Sequence, residues 1–417
     1  MRPLLVSHSD SAGGAARATY RLHRALVDQA VDSHMRVASK ASGDWRVTGP
    51  AGRAGKAWSL IRTRVGQQLL RSQQTTNPLP HSPAVVPSRL ASELNRSDAD
   101  VINLHWVGGE MISIEDIGRI RKPVVWTLHD SWAFCGTEHH PDGLDDLRYA
   151  QGYAAANRRP GHGGLDLDAW AWRRKQRSWR RPFVAVTPSR WLADCARRSV
   201  LMRDWPIHVI PNALPVDVYR PWPQDVARAA YGLAGDARIV LFGAIGGTSR
   251  AKGWDLLAQA LPLVAQTIPG VVGVVVGQSE PRDPPRVGMP LHFVGTLNDD
   301  VAMAMLYSAA DVVVLPSRLE NLPQSGTEAQ ACGVPVVGFD CSGLPDVVAQ
   351  RETGFLARPY DAADLAAGII WAVADPQRLR ELGRRARERA LALWAPGPVV
   401  ERYLTVYHEA MAMEARR

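Results

Sequence analysis

The sequence predicts an α/β protein made of two doubly wound parallel-sheet domains facing a cleft. Three observations carry that reading. Strand-length apolar runs alternate with amphipathic helical segments through both halves of the chain. A proline-rich stretch, Pro211, Pro215, Pro221 and Pro223, interrupts the alternation near the middle. The 417 residues, 46% hydrophobic and 22% charged, suffice for two or three folded domains and exclude a wholly disordered chain.

The elements follow in order. Pro3 to Ser7 reads as a strand, Ser9 to Gly14 (SDSAGG) as a turn, and Ala15 to Gln29 as a helix with Ala18, Leu22, Ala25 and Leu26 on one face. Met35 to Ser39 is a further strand. Residues 43–95 lack a regular pattern, except that Lys56 to Arg71 reads as a basic amphipathic helix. There Trp58, Ile61, Val65, Leu69 and Leu70 share a face, the pattern of a helix lying in a membrane interface or packed on its own domain. Ala99 to Leu104 and Pro123 to Leu128 are strands, with Ile114 to Arg121 a helix between them. Residues 136–168 read as a polar loop. A very basic helix, Ala169 to Arg180, comes next, then the strand Phe183 to Thr187 and a helix that Ser189 caps. His208 to Ile210 closes the first half. The second half restarts the alternation, with strands at Arg238 to Phe242, Val271 to Val276, Leu291 to Phe293, Val312 to Leu315 and Val336 to Gly338. The chain ends in a long helix, Val399 to Met413.

Several classes are disfavoured. No apolar run reaches the ~18 residues of a membrane span, and the apolar stretch of MRPLLVSHSDSAGG is short for a signal peptide. A cytoplasmic location is expected, with peripheral attachment to the inner face of the plasma membrane open. Cys135, Cys195, Cys332 and Cys341 form no CxxC pair, against a disulfide framework or structural zinc. The formal charge of +8 suits phosphate ligands or anionic surfaces. Arg173, Arg174, Lys175, Arg177, Arg180 and Arg181, interleaved with Trp170, Trp172 and Trp179, read as a solvated face or as a membrane-docking one. No nucleic-acid motif accompanies them.

The strongest signal is PSRLENLPQSGTEAQACGVPVV, Pro316 to Val337. Glu320 lies in the loop after a strand and Glu328 in the following helix. Between them, Asn321 to Gly326 cross the helix start, where amides and the helix dipole favour a phosphate. Carboxylates on either side can accept hydrogen bonds from sugar hydroxyls.

This segment resembles the E-x7-E motif of retaining glycosyltransferases of family 4, which have the GT-B fold. The resemblance covers nearly the whole chain. Val294 to Leu356 matches the family's C-terminal half, and SAGGAARATYRLHRAL, VINLHWVGGEMISIEDI and KPVVWTLHDSWAF match its N-terminal half. The branch indicated builds bacterial capsule, exopolysaccharide and O-antigen (lipopolysaccharide) chains.

The resemblance implies an N-terminal acceptor domain, residues 1–212 with helix 397–417 returning to it, and a C-terminal nucleotide-sugar domain, residues 213–396. It makes Glu320 the contact to the donor sugar and Glu328 the contact to the ribose. Main-chain groups of Asn321 and Leu322 would meet the diphosphate or sugar. Lys252, in Lys252-Gly253, would neutralise the leaving diphosphate, so that neither a metal nor a cofactor is expected beyond a UDP- or GDP-sugar donor. Many relatives carry an arginine where this chain has Gly246 and Gly247, and Arg250 is the nearby substitute. Gly13-Gly14 resembles the glycine loop, His129 the active-site histidine, and His105 with Trp106 stand on the acceptor side. Cys135, Glu138, His139, His140 and Asp142 read as a polar loop rim and not a metal knuckle. The expected activity is retaining hexosyl transfer to a glycan or polyprenyl-diphosphate-linked acceptor. A GT-B sugar-nucleotide epimerase and a non-catalytic nucleotide-sugar-binding subunit are the alternatives.

Overall fold

The computed structural model describes residues 1–50, 52–243 and 250–416. Gly246 and Gly247, the expected arginine positions, lie outside them. Contacts divide the chain into one unit of Met1–Ala213 with Val399–Arg417, and a second of Leu214–Pro398.

The first unit holds a seven-stranded parallel sheet. Its order is Val47–Thr48, His34–Ser39, Pro3–Ser9, Val101–Leu104, Val124–Thr127, Val184–Thr187 and Ile207–Val209. The strands are continuous apolar runs because helices cover both faces of the sheet. Leu5 and Val6, adjacent in one strand, therefore belong to opposite cores, each fully buried. One of those cores is closed by the final helix, Pro396–Ala415, through Val399, Tyr403, Val406, Tyr407 and Ala410. Tyr407 Oη donates to Asn103 Oδ1 at 2.7 Å, and Tyr403 Oη lies 3.2 Å from Thr127 Oγ1. These bonds satisfy two polar side chains that the sheet face would otherwise strand.

The second unit repeats the scheme with six parallel strands. They run Leu291–Gly295, Val271–Val276, Arg238–Gly243, Val312–Leu315, Val336–Phe339 and Gly354–Ala357. Val312, Val313 and Val314 alternate between its two cores. Local signals set several helix starts. Ser189 accepts from the Leu192 N–H at 3.2 Å, and Asp299 accepts from that of Ala302 at 2.8 Å.

Two helices depart from the sequence reading. The basic amphipathic helix runs from Gly52 to Leu70 and is docked by a different face from the one expected. Arg62 is buried, donating to the carbonyls of Met111 and Val86 at 3.1 and 2.8 Å, while Trp58, Leu60, Ile61 and Val65 are exposed. Arg62 thereby supplies donors to two main-chain carbonyls that the helix covers. The second basic helix, Leu167–Ser178, keeps Trp170, Arg173 and Arg177 exposed on one face but commits the other to the interior of the unit. Trp172 and Trp179 are buried, Arg174 forms an ion pair with Glu115, and Lys175 is wholly enclosed. The Lys175 ammonium donates to the carbonyls of Trp132, Cys135 and Gly136 and sits 4.0 Å over the Trp132 ring. Burial drops its pKa to about 7.

Candidate functional site

In the second unit the strand order reverses between Arg238–Gly243 and Val312–Leu315, which pair side by side. Ligands of open parallel sheets bind beyond the C-terminal strand ends at such a switch point. Two loops meet there. One contains the single turn Arg250–Lys252, then Gly253 and the helix Trp254–Thr267. The other follows Leu315 and leads into the helix Gln324–Ala331.

The loops are joined at the residues the motif singles out. Lys252 Nζ lies 2.5 Å from Glu320 Oε1, and Ser317 Oγ donates to the same oxygen at 3.1 Å. The Glu320 main chain is fixed on both sides. Its N–H donates to Ser342 Oγ at 3.1 Å, and its carbonyl accepts from the Gly343 N–H at 2.9 Å. Gly253 is required twice over. Its φ is +69°, and an added Cβ would sit 1.8 Å from the Pro316 carbonyl oxygen.

Arg318 completes the junction, and sequence reasoning assigned it no role. Its guanidinium donates to both Asp255 oxygens at 2.7 and 2.6 Å and to the Arg250 carbonyl at 2.8 Å. Its N–H donates to the Ala251 carbonyl at 2.7 Å. These hydrogen bonds, with the paired charge, hold the Asp255 carboxyl below its usual range. Arg250 itself is exposed, with its carbonyl committed to Arg318. The Arg–Asp fork is a bidentate pair whose geometry locks one loop against the other.

Glu328 lies in the buried wall of the helix, where Tyr307 Oη donates to its Oε2 at 3.1 Å. Burial, then the Glu328 charge, push the Tyr307 phenol well above its ordinary pKa. Asn321 is buried, and the Leu322 side chain belongs to the apolar core. Pro323 at the N-cap supplies no side-chain acceptor, so no cap side chain offsets the positive end of the helix dipole.

The first unit has its own switch point, between Pro3–Ser9 and Val101–Leu104. Ser9 Oγ accepts from the Ser11 and Ala12 N–H groups at 3.2 and 3.1 Å, turning the chain into Gly13. Gly13 has φ +90° and open space where a Cβ would lie, so the glycine serves backbone conformation and leaves its surface clear. The helix Gly14–Asp28 starts directly after it.

His129 and His105 end neighbouring strands and stack, with centroids 5.2 Å apart and His105 Nδ1 2.9 Å from His129 Nε2. His105 is 3% exposed, behind His129 rather than on an open surface. Burial lowers His129 to about 4 and drives His105 well below its ordinary value, so both rings are neutral at pH 7. His105 Nε2 is buried without a hydrogen-bond partner among the described residues. A bare ring nitrogen there is less costly than an orphaned N–H. That places the His105 proton on Nδ1, donated to His129, and leaves the His129 proton on Nδ1.

His139 is not part of a polar rim. It is 2% exposed, between Asp130 Oδ2 at 2.5 Å and Ser82 Oγ at 2.7 Å, and stacks on Trp106 with centroids 5.0 Å apart. Trp106 Nε1 also donates to Asp130 at 2.7 Å. Against the pull of burial, the His139 charge and hydrogen bond hold Asp130 down at about 2. Glu138 and Cys135 are likewise buried. Among the described residues, no three His, Cys, Asp or Glu side chains gather as a metal site. Nor is any described helix long and apolar enough to cross a membrane.

Comparison with known proteins bears on the family and the fold. Residues 12–218 match the family model described as Glycosyltransferase Family 4, and residues 224–389 match Glycosyl transferases group 1. A curated relative named D-inositol 3-phosphate glycosyltransferase, from Segniliparus rotundus, is 34% identical over 189 residues, 43% of this chain and 41% of that protein. The chain spans about half the length of the curated relatives it matches. Among solved structures, a sucrose-phosphate synthase from Thermosynechococcus elongatus superposes with TM-score 0.66 at 21% identity, covering 99% of both chains. Anabaena Alr3699/HepE, in complex with UDP and glucose, gives 0.64 at 18% identity, covering 98% of this chain and all of that one. At these identities the likeness shows the fold.

Proposed function

We propose that this chain, a GT-B protein of the glycosyltransferase group 1 and family 4 type by the two models that span it, moves a sugar from a nucleotide-diphosphate sugar to an acceptor hydroxyl with retention of configuration. The observation that carries the reading is the Lys252–Glu320 contact at the switch point of the second unit, beside an uncapped helix start. A cation that is 66% exposed and rests on a carboxylate is placed to exchange that partner for an incoming diphosphate.

In this reading Lys252 and the helix-start amides hold the leaving diphosphate. Arg250 lends a second cation, and no metal is called on. Glu320, released from Lys252, faces the sugar and offsets the positive charge that develops at its anomeric carbon. The leaving phosphate oxygen takes the proton from the attacking hydroxyl on the same face, which accounts for retention without a covalent enzyme intermediate. Glu328, its other oxygen held by Tyr307, takes the ribose. His129 contacts the sugar, and Gly13-Gly14 lets the ligand approach the main chain. Trp106, fixed by Asp130, is the acceptor-side platform, and His105 serves by orienting His129.

The acceptor is a glycan or polyprenyl-diphosphate-linked glycan of a bacterial surface polysaccharide. The curated relatives' name favours a second reading, an inositol phosphate acceptor. Peripheral attachment to the plasma membrane belongs with the lipid-linked reading. The helix Gly52–Leu70 supports it, with Trp58, Ile61 and Val65 exposed along one side, Arg53 and Arg64 beside them and no acidic residue in the helix.

The test is a thermal-shift screen against UDP, GDP, ADP and their sugars, with and without EDTA, followed by product analysis with each acceptor class. One nucleotide should stabilise the protein, by ~2.7 kcal/mol at about 100 times its Kd. The shift should survive EDTA and vanish in Glu328→Ala. Turnover without any acceptor indicates an epimerase, and binding without turnover on any acceptor a non-catalytic subunit. No binding of any nucleotide overturns the reading.

A further inference from the structure

A cavity of the first unit, about 850 Å³, lies away from the site described above. It is lined by Val124 and Val184, the first residues of their strands, whereas His129 lies two residues beyond the last residue of its strand. Four residues of strand separate the two ends of the sheet by roughly 13 Å.

Its wall is basic. Arg96, Arg119, Arg121, Lys122, Arg180 and Arg181 line it, against only Asp116 and Glu414. Six cations and two carboxylates leave +4 in one cavity, half the formal charge of the whole chain. The carboxylates are already engaged, Asp116 with Arg119 at 3.0 Å and Glu414 with Arg181 at 3.8 Å. Arg96, Arg121 and Arg180 have no ion-pair partner among the described residues.

The clustering is built by the fold. Gly118 has no room for a side chain, since a Cβ would lie 2.4 Å from the Ser178 carbonyl oxygen. That contact brings the turn bearing Arg119, Arg121 and Lys122 against the turn bearing Arg180 and Arg181. Asn95 ties the third segment in. It donates to the Arg119 carbonyl at 2.9 Å and accepts from the Arg121 N–H at 2.8 Å, which fixes Arg96 nearby. Like charges held together by main-chain contacts repel one another, and an anion removes that repulsion. Planar guanidiniums suit phosphate oxygens.

We propose that this cavity is a second ligand site, distinct from the nucleotide-sugar site, that takes a ligand carrying clustered phosphate groups. The volume exceeds that of a single phosphate and falls within the range of small-molecule sites.

Met413 lines the cavity and supplies a local probe. In full-length protein labelled with ¹³C-methyl methionine, with Met413 assigned through Met413→Leu, inorganic pyrophosphate at 0.15 M salt should shift the Met413 methyl saturably. UDP, directed to the other unit, should leave it in place. Arg121→Gln/Arg180→Gln should weaken the pyrophosphate response at least tenfold with an unchanged melting temperature. Sedimentation with phosphatidic acid vesicles against phosphatidylcholine vesicles identifies the source. Loss of the vesicle binding in the double variant assigns a lipid-borne phosphate, and saturation by pyrophosphate without such a loss assigns a free one. A Met413 methyl that does not move, moves without saturating, or responds equally in the double variant overturns the proposal. None of these readouts depends on sugar transfer, so the site can fail while the transferase reading stands, and the reverse.

Discussion

Gly253→Ala should disrupt the nucleotide site out of proportion to its size. The residue has φ +69°, where a Cβ is penalised by about 1–2 kcal/mol. The new Cβ would also lie 1.8 Å from the Pro316 carbonyl oxygen and 2.8 Å from its carbon. Relief to an ordinary contact needs a shift of roughly 1.5 Å. A shift of that size breaks the hydrogen bonds from Arg318 to the Ala251 and Arg250 carbonyls, at about 1 kcal/mol each. The total is roughly 3–4 kcal/mol, or about 10 °C in melting temperature for a unit of this size. Gly232→Ala is the control, because Gly232 has φ +64° with nothing within 4 Å of its Cβ position. It should show the conformational part alone, about 2–8 °C. Differential scanning calorimetry compares the two, and titration with UDP follows Lys252. Gly253→Ala should also lose UDP affinity, and Gly232→Ala should keep it. Equal melting temperatures in the two variants, or wild-type UDP affinity in Gly253→Ala, would refute the account of why the loops meet.

Three further outcomes are expected. Lys252→Gln should weaken UDP binding by roughly 10- to 100-fold, the worth of one charged hydrogen bond, and leave uridine binding and the melting temperature unchanged in calorimetric titrations. His105→Phe should move the His129 proton from Nδ1 to Nε2, read from two-bond ¹⁵N–¹H correlations of labelled histidine. His23 is wholly buried, 2.9 Å from Ser33 Oγ and 3.5 Å from Asp44, and burial lowers its pKa to about 4 despite that carboxylate. Because the unfolded state binds the proton more tightly, its contribution is complete above about pH 6.5 and is lost as pH falls toward 4, by up to ~3 kcal/mol. Denaturant titrations across that window should flatten in His23→Gln.

Most strands of both sheets were legible in the sequence because buried parallel strands are continuous apolar runs, as in Val312–Leu315 and Val184–Thr187, whereas the edge strands Val47–Thr48 and Gly354–Ala357 went unread. Glu320, Glu328 and Lys252 were singled out through their flanks, and the contact between Lys252 and Glu320 appeared only in the fold. Arg318 was not, although it stands two residues before Glu320. Its signal would have been an acidic partner on another loop, and Asp255 is 63 residues away in the chain. His139 was misread as a rim residue for a related reason. Histidine next to Glu138 and Asp142 looks solvated until Trp106, Trp132 and Asp130 close around it.

What the sequence determined by itself is what local chemistry dictates. Periodicity and apolar runs set the order of strands and helices, Ser189 and Asp299 set helix starts, and Gly13 marks a conformation open to few other residues. The tertiary structure decided which charges are used inside the protein and which remain for ligands. Of six neighbouring basic residues, Lys175 is caged by carbonyls, Arg174 is paired, and Arg180 is left in an unneutralised cavity. Charge is written in each residue, but its environment is set by segments far along the chain, and burial and partner distance decide what the charge can do.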